Sequence, residues 1–199
     1  MIEVEQKFIL SEYDIARLTE GAEFLGEKEF TDVYWDTDEY ALTKNDMWLR
    51  NRSGQWELKI PRHQFGQGMS MQQYEEIEGE EKIREIFAIA RQKDFASDIA
   101  GFGYAPFCEC TTKRKKYKQG EFIIDLDNVD YGDFNYAIGE IELMVDGKEE
   151  MNEAADRIRR FAEEKGLKSE IVRGKIIEYL FNKKPEHYQA LVEAGVVKE

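Results

Sequence analysis

Long hydrophobic runs are missing from this 199-residue chain, and no segment approaches the roughly 20 apolar residues that a membrane-spanning helix needs. Positive charge is in deficit, with 28 Lys and Arg against 42 Asp and Glu and a net charge of −14. The far field therefore repels polyanions, which excludes generic attraction to nucleic acid or to anionic membranes. An anionic ligand has to meet a local cationic cluster or a bound metal. Cysteine is down to 2 residues, Cys108 and Cys110. Two apart on one strand face, they have poor disulfide geometry and fit a reducing, cytoplasmic setting. The 2 histidines, His63 and His187, have no zinc-site spacing and are expected on a loop and at the surface. The opening MIEVEQKFIL has neither a basic leader nor a small-residue cleavage site, so no signal peptide is expected.

What is present is a foldable composition: 42% hydrophobic and 13% aromatic residues, with 15 Gly as punctuation. One domain spanning residues 1–199 is expected at this length. Strand patterns cover residues 2–8, 31–36, 47–52, 55–60, 74–78, 107–118, 121–129 and 136–145. Ser11, followed three residues later by Asp14, has the form of a helix start. Helical spacing runs over 80–95, 149–165 and 169–181, and a last helix opens at Pro185. The Gly- and Gln-rich stretch 61–73 reads as a mobile loop. The fold class is α+β, built on an antiparallel sheet.

The strands carry charge on one face only. Glu3, Glu5 and Lys7 share a side, with Ile2, Val4 and Phe8 opposite. A two-residue Ser53-Gly54 turn pairs Trp48 with Lys59, Arg50 with Glu57 and Arg52 with Gln55. A turn at Gln119-Gly120 would pair Lys116 with Ile123, Arg114 with Asp125 and Thr112 with Asp127. Glu140 and Glu142 share a face with Ile138. Two arrangements satisfy this alternation: a sheet with helices on one side and water on the other, or a barrel whose charged faces turn inward. Arg50 beside Arg52, and Glu140 beside Glu142, are like-charged neighbours that want a counter-ligand. An inward face would hold cations against acids, suited to a phosphate chain together with a hard divalent cation.

Glu3-Val-Glu5-Gln-Lys7 is an ExExK motif. With Tyr34-Trp35-Asp36-Thr37, Trp48-Leu49-Arg50-Asn51-Arg52, Trp56-Glu57-Leu58-Lys59, Lys113-Arg114, Asp125-Leu126-Asp127 and Gly139-Glu140-Ile141-Glu142, the chain resembles the CYTH superfamily, the triphosphate tunnel metalloenzymes. The likeness is strongest to its thiamine triphosphatase group. The resemblance implies an antiparallel β-barrel, or tunnel, with a charged lumen wrapped by helices, which hydrolyses thiamine triphosphate with Mg²⁺ or Mn²⁺. It further implies Glu3, Glu5, Asp125, Glu140 and Glu142 as metal-facing acids. Lys7, Arg50, Arg52, Lys59, Arg114 and Lys175 would clamp the triphosphate, Trp48 would stack on the organic moiety, and Tyr34 with Lys7 would assist water activation. A Tyr hydroxyl next to an ammonium would have its pKa lowered, and activity would then rise toward alkaline pH. Without the resemblance, Trp48 reads as a hairpin aromatic and Lys175 as a solvated helical lysine. A monomer with a small-molecule partner, no nucleic acid and no membrane is the expectation. The rival functions are an inorganic triphosphatase, a non-catalytic polyphosphate-binding module and, further off, an adenylyl cyclase.

Overall fold

The computed structural model describes residues 2–62, 71–168 and 170–197. Eight strands, β1 (Ile2–Phe8), β2 (Glu23–Thr37), β3 (Trp48–Arg52), β4 (Gln55–Pro61), β5 (Met71–Glu78), β6 (Tyr104–Gln119), β7 (Phe122–Asp130) and β8 (Asn135–Val145), close into an antiparallel barrel. Around it the strand order is β1-β5-β4-β3-β2-β6-β7-β8. The helices are α1 (Glu12–Thr19), α2 (Glu80–Phe87), α3 (Phe95–Ala100), α4 (Met151–Glu164), α5 (Lys175–Lys183) and α6 (Pro185–Glu193). Among the described residues no helix is long and apolar enough to cross a membrane.

The direction of curl follows from which face the helices cover. On β1, β7 and β8 the apolar residues Val4, Ile124, Ile141 and Leu143 pack with Ala154, Ala155 and Ile158 of α4. Burying Ile158 alone contributes about 1.5–3 kcal/mol. Leu49, Trp56 and Leu58 of β3 and β4 pack with Ile83 of α2 and with Phe95 and Ile99 of α3. With those faces committed to helices outside, the alternating charged faces meet inside. The barrel, rather than the sheet with one wet face, is the outcome.

A third cluster stoppers the bore. Cys108 and Cys110 lie in phase with Arg114 along β6, and together with Tyr34 and Val129 they pack against Ile176 and Leu180 of α5 and against Tyr188 and Leu191 of α6. Tyr131 and Tyr136 fasten this plug by donating their hydroxyls to the carbonyls of Lys175 and Arg173, each at 2.7 Å.

Local signals set several elements. Ser11 Oγ accepts from Asp14 N at 3.2 Å while Asp14 Oδ2 accepts from Ser11 N at 3.1 Å, a reciprocal cap on α1. Ser53 and Gly54, both at positive φ, make the β3–β4 turn in the predicted register.

Other expectations are corrected. The second hairpin turns at Gly120-Glu121, so Lys116 pairs with Asp125, Arg114 with Asp127 and Thr112 with Val129, two residues from the predicted register. The helical stretch 80–95 breaks at Ala88, whose backbone is left-handed (φ 54°), and restarts at α3, where Asp94 caps Ser97 N at 2.9 Å. The helix expected over 169–181 begins only at Lys175, after Gly174. His187 is buried on α6, its Nε2 2.7 Å from Thr43 Oγ1 and its ring stacked 3.9 Å from Tyr40. β2 and β5 start earlier than their sequence patterns. Most of the predicted loop 61–73, with His63, lies outside the described residues.

Candidate active site

The bore encloses a cavity of about 400 Å³. Glu3, Glu5, Lys7, Tyr34, Trp48, Arg50, Arg52, Lys59, Arg114, Glu140, Glu142 and Lys175 all line it. Asp125 is fully buried just behind, opposite Lys116 and Glu140 in the sheet. Every residue that the resemblance implies for the site is therefore gathered in one place. Strand alternation brings them there from seven strands, and α5 delivers Lys175 from the stoppered end.

Cations and acids interleave. Arg52 donates to both oxygens of Asp32, at 2.7 and 2.8 Å, and Arg114 to both oxygens of Asp127, each at 2.6 Å. Arg114 also pairs with Asp125 and, at 3.1 Å, with Glu140. Arg50 reaches Glu57 at 2.7 Å, and Lys59 reaches Glu3 at 2.7 Å and Glu76 at 2.8 Å. Lys7 pairs with Glu5 and lies 3.8 Å from Glu140, while Lys175 bonds Asp127 at 2.7 Å. Fork geometry fixes the guanidinium planes of Arg52 and Arg114.

These neighbours split the acids. Burial alone would raise Glu140, but Lys175, Lys7 and Arg114 hold it well below the usual carboxylate range. Glu142 goes the other way, pushed well up by burial and then by Glu3, Asp125 and Glu140. Asp125 is raised by burial, against the pull of Arg114 and Lys116. Burial would lower the Lys59 ammonium, yet Glu3, Glu5 and Glu76 raise it. Tyr34 corrects the expectation drawn for it: burial, with Asp32 and Cys110 adding to it, drives its phenol up despite Arg50, whose Nη1 donates to the hydroxyl at 3.3 Å. The phenol stays protonated at neutral pH, and an alkaline rise in activity cannot come from its ionisation.

The donor set suits a hard divalent cation. Oxygens of Glu3, Glu5 and Glu142 come within 4.8 Å of one another, as do oxygens of Asp125, Glu140 and Glu142. Both groups are buried and all-oxygen, the chemistry of Mg²⁺ and Mn²⁺ sites. Burial first, and then the like charges of Glu3, Asp125 and Glu140, push Glu142 up, and a cation would offset the second of these.

Several lumenal residues escaped the sequence reading. Lys116 lies 3.0 Å from Asp125 and 3.7 Å from Glu142. Its spacing of two from Arg114 puts it on the same inward side. Asp32, Asp127, Glu76 and Tyr74 also belong to this network. Asp127 was legible from its spacing with Asp125. Trp48 shares the cavity with Ile176 and Ile177 and packs against the plug cluster, giving the bore an apolar section beside its charges.

The sequence matches the CYTH domain over residues 1–174. It is 31% identical over 217 aligned residues to the thiamine-triphosphatase of Homo sapiens, spanning 100% of this chain and 93% of that one. The thiamine-triphosphatase of Macaca fascicularis aligns with the same identity and coverage. Among solved structures, the PH1819 protein from Pyrococcus horikoshii OT3 has the same fold at a TM-score of 0.63 and 21% identity, over 92% of this chain and 99% of that one.

Proposed function

The chain belongs to the CYTH domain family, and from that premise we propose that it is a hydrolase acting on a triphosphate phosphoanhydride bond, with thiamine triphosphate as substrate. The observation that carries this reading is the enclosure of Lys7, Arg50, Arg52, Lys59, Arg114 and Lys175 in one acid-lined cavity that also holds an indole. Fixed donors of this kind stabilise the charge spread over phosphoryl oxygens as the bond breaks.

The two arginine forks and the lysines bind the phosphate chain. Trp48, with Ile176 and Ile177 beside it, offers a flat apolar surface to the thiamine rings. A divalent cation, Mg²⁺ or Mn²⁺, held by Glu3, Glu5, Asp125, Glu140 and Glu142, would supply charge neutralisation at the phosphate oxygens and polarisation of water. Tyr34, a neutral hydroxyl anchored by Arg50, and the Lys7 ammonium orient the attacking water and the terminal phosphoryl group. Water oxygen forms a bond to the terminal phosphorus, the bridging P–O bond breaks, and thiamine diphosphate and inorganic phosphate leave, with the water proton lost to solvent. No covalent intermediate on the protein is needed. We place the protein in the cytoplasm as a monomer.

A tripolyphosphatase would need the clamp but no aromatic surface, and the placement of Trp48 on the cavity favours the organic substrate. Phosphate release from a panel of triphosphates under Mg²⁺ tests the reading. Thiamine triphosphate should give the highest kcat/KM. Thermal stabilisation by triphosphates without any release would instead identify a binding module.

A further inference from the structure

Asp46 has no part in the reading above, yet two cavity-lining side chains converge on it. It follows the 3-10 turn Thr43–Asn45 with φ of 56°, a left-handed conformation that Asp, Asn and Gly accept more readily than other residues. Its side chain is buried, and its Oδ1 accepts from Trp48 Nε1 at 2.8 Å and from the Tyr74 hydroxyl at 2.9 Å. Trp48 belongs to β3 and Tyr74 to β5. Between these strands β4 carries Lys59, whose ammonium lies 5.7 Å from the Tyr74 ring centroid.

An indole has one N–H, and once that is committed to a buried carboxylate the ring has little freedom left to turn. Asp46 therefore decides which face of Trp48 the cavity sees, without reaching the cavity itself. The same oxygen holds Tyr74, so the aromatic surface and the neighbourhood of the Lys59 clamp share one anchor. A recognition surface held in its bound attitude loses less entropy when a flat ligand docks.

We propose that Asp46 is a positioning residue that sets the preference for a triphosphate bearing a flat organic group over inorganic tripolyphosphate, by fixing the attitude of the Trp48 indole. The proposal rests on the function proposed above.

Asp46→Gly keeps the left-handed backbone and removes the acceptor, whereas Asp46→Asn keeps both the backbone and an acceptor oxygen. The test measures kcat and KM for thiamine triphosphate and for tripolyphosphate under Mg²⁺. It also follows the ¹H–¹⁵N indole resonance of Trp48 in ligand-free protein, assigned through Trp48→Phe. Asp46→Gly should raise the ratio of the two KM values, thiamine triphosphate over tripolyphosphate, by about tenfold. The indole resonance should move upfield, and Asp46→Asn should restore most of both effects. Asp46→Asn, whose neutral oxygen accepts less strongly than a carboxylate, should shift the ratio in the same direction by a smaller factor when Trp48 is present and not at all in a Trp48→Phe background, which has no N–H to hold, a comparison that stands even where the glycine variant does not fold. An equal change in both KM values, failure of the asparagine variant to rescue, or a further shift in the Trp48→Phe background overturns the proposal. If the wild type turns over tripolyphosphate alone, the organic-substrate reading falls and this one with it. A wild-type preference for thiamine triphosphate that Asp46→Gly leaves intact removes the Asp46 proposal only.

Discussion

Asp32 and Arg52 stand opposite each other on β2 and β3, and each oxygen of Asp32 takes one N–H of Arg52. Asp32 is fully buried, and Arg52 also lies over the Phe30 ring at 4.1 Å. Burial would raise this carboxyl, but the Arg52 bonds and the Arg50 charge keep it below its usual value, so it stays ionised and Arg52 stays in plane. Asp32→Asn should loosen the clamp. Stability should fall by about 3 kcal/mol, as when one partner of a buried pair is lost. KM should rise for every triphosphate while kcat changes less. Steady-state kinetics with denaturant melts check this, and an unaltered KM would refute the bracing role.

Trp48→Ala should raise KM for thiamine triphosphate by about tenfold, the worth of one good aromatic contact, and affect tripolyphosphate far less. Equal losses on both substrates would mean that the indole only supports the β3–β4 hairpin.

Glu142 gives a prediction of opposite sign for stability. Its folded pKa is raised, by burial first and then by Glu3, Asp125 and Glu140. Its contribution is therefore fully present below the unfolded carboxylate value and is lost as pH climbs through the raised folded value. Glu142→Gln should make the metal-free protein more stable at neutral pH, by on the order of 1 kcal/mol, while weakening Mg²⁺ binding. Melts in EDTA from pH 5 to 8 should show a gap that widens with pH. A variant less stable than wild type throughout would contradict this.

His187 titrates in the other sense. Burial lowers its pKa to about 4, with Lys184 and Lys44 adding to the effect against the pull of Asp36. A buried neutral imidazole supports the fold above its unfolded value of about 6.5, and that support drains away as pH falls toward the folded value. One side of the ring borders a solvent-accessible hollow, which reduces the effect. The wild type should lose on the order of 2 kcal/mol more than His187→Gln between pH 7.5 and 4.5. Urea melts at the two ends of that range decide it.

What the sequence disclosed, and what it withheld, divides by the range of the contacts involved. The inward sides of β1, β3 and β4 were legible because alternation in Glu3, Glu5 and Lys7, or in Trp48, Arg50 and Arg52, is a local property. The second hairpin was placed two residues out of register. A shift of two preserves the face, so Arg114 still points inward and gains Asp127. Nothing about an alanine announces the left-handed turn at Ala88. The late start of α5 depends on Tyr131 and Tyr136 holding the carbonyls of Lys175 and Arg173 from about 40 residues away. His187 is buried by Tyr40 and Thr43, more than 140 residues distant, and no local pattern encodes that meeting. For Tyr34, a neighbouring ammonium by itself would lower the phenol, whereas enclosure dominates in the folded protein.

The pairing of Arg114 with Asp125, Asp127 and Glu140, and of Lys59 with Glu3 and Glu76, has a thermodynamic corollary. Each positive group is already neutralised by a neighbour, so an arriving phosphate chain must exchange places with those carboxylates and strand them. A divalent ion held by those carboxylates first would do the reverse and would release the ammonium and guanidinium groups. Under the function proposed above, either ligand would thus prepare the interior for the other, and by reciprocity the factor by which the cation tightened triphosphate would equal the factor by which triphosphate tightened the cation.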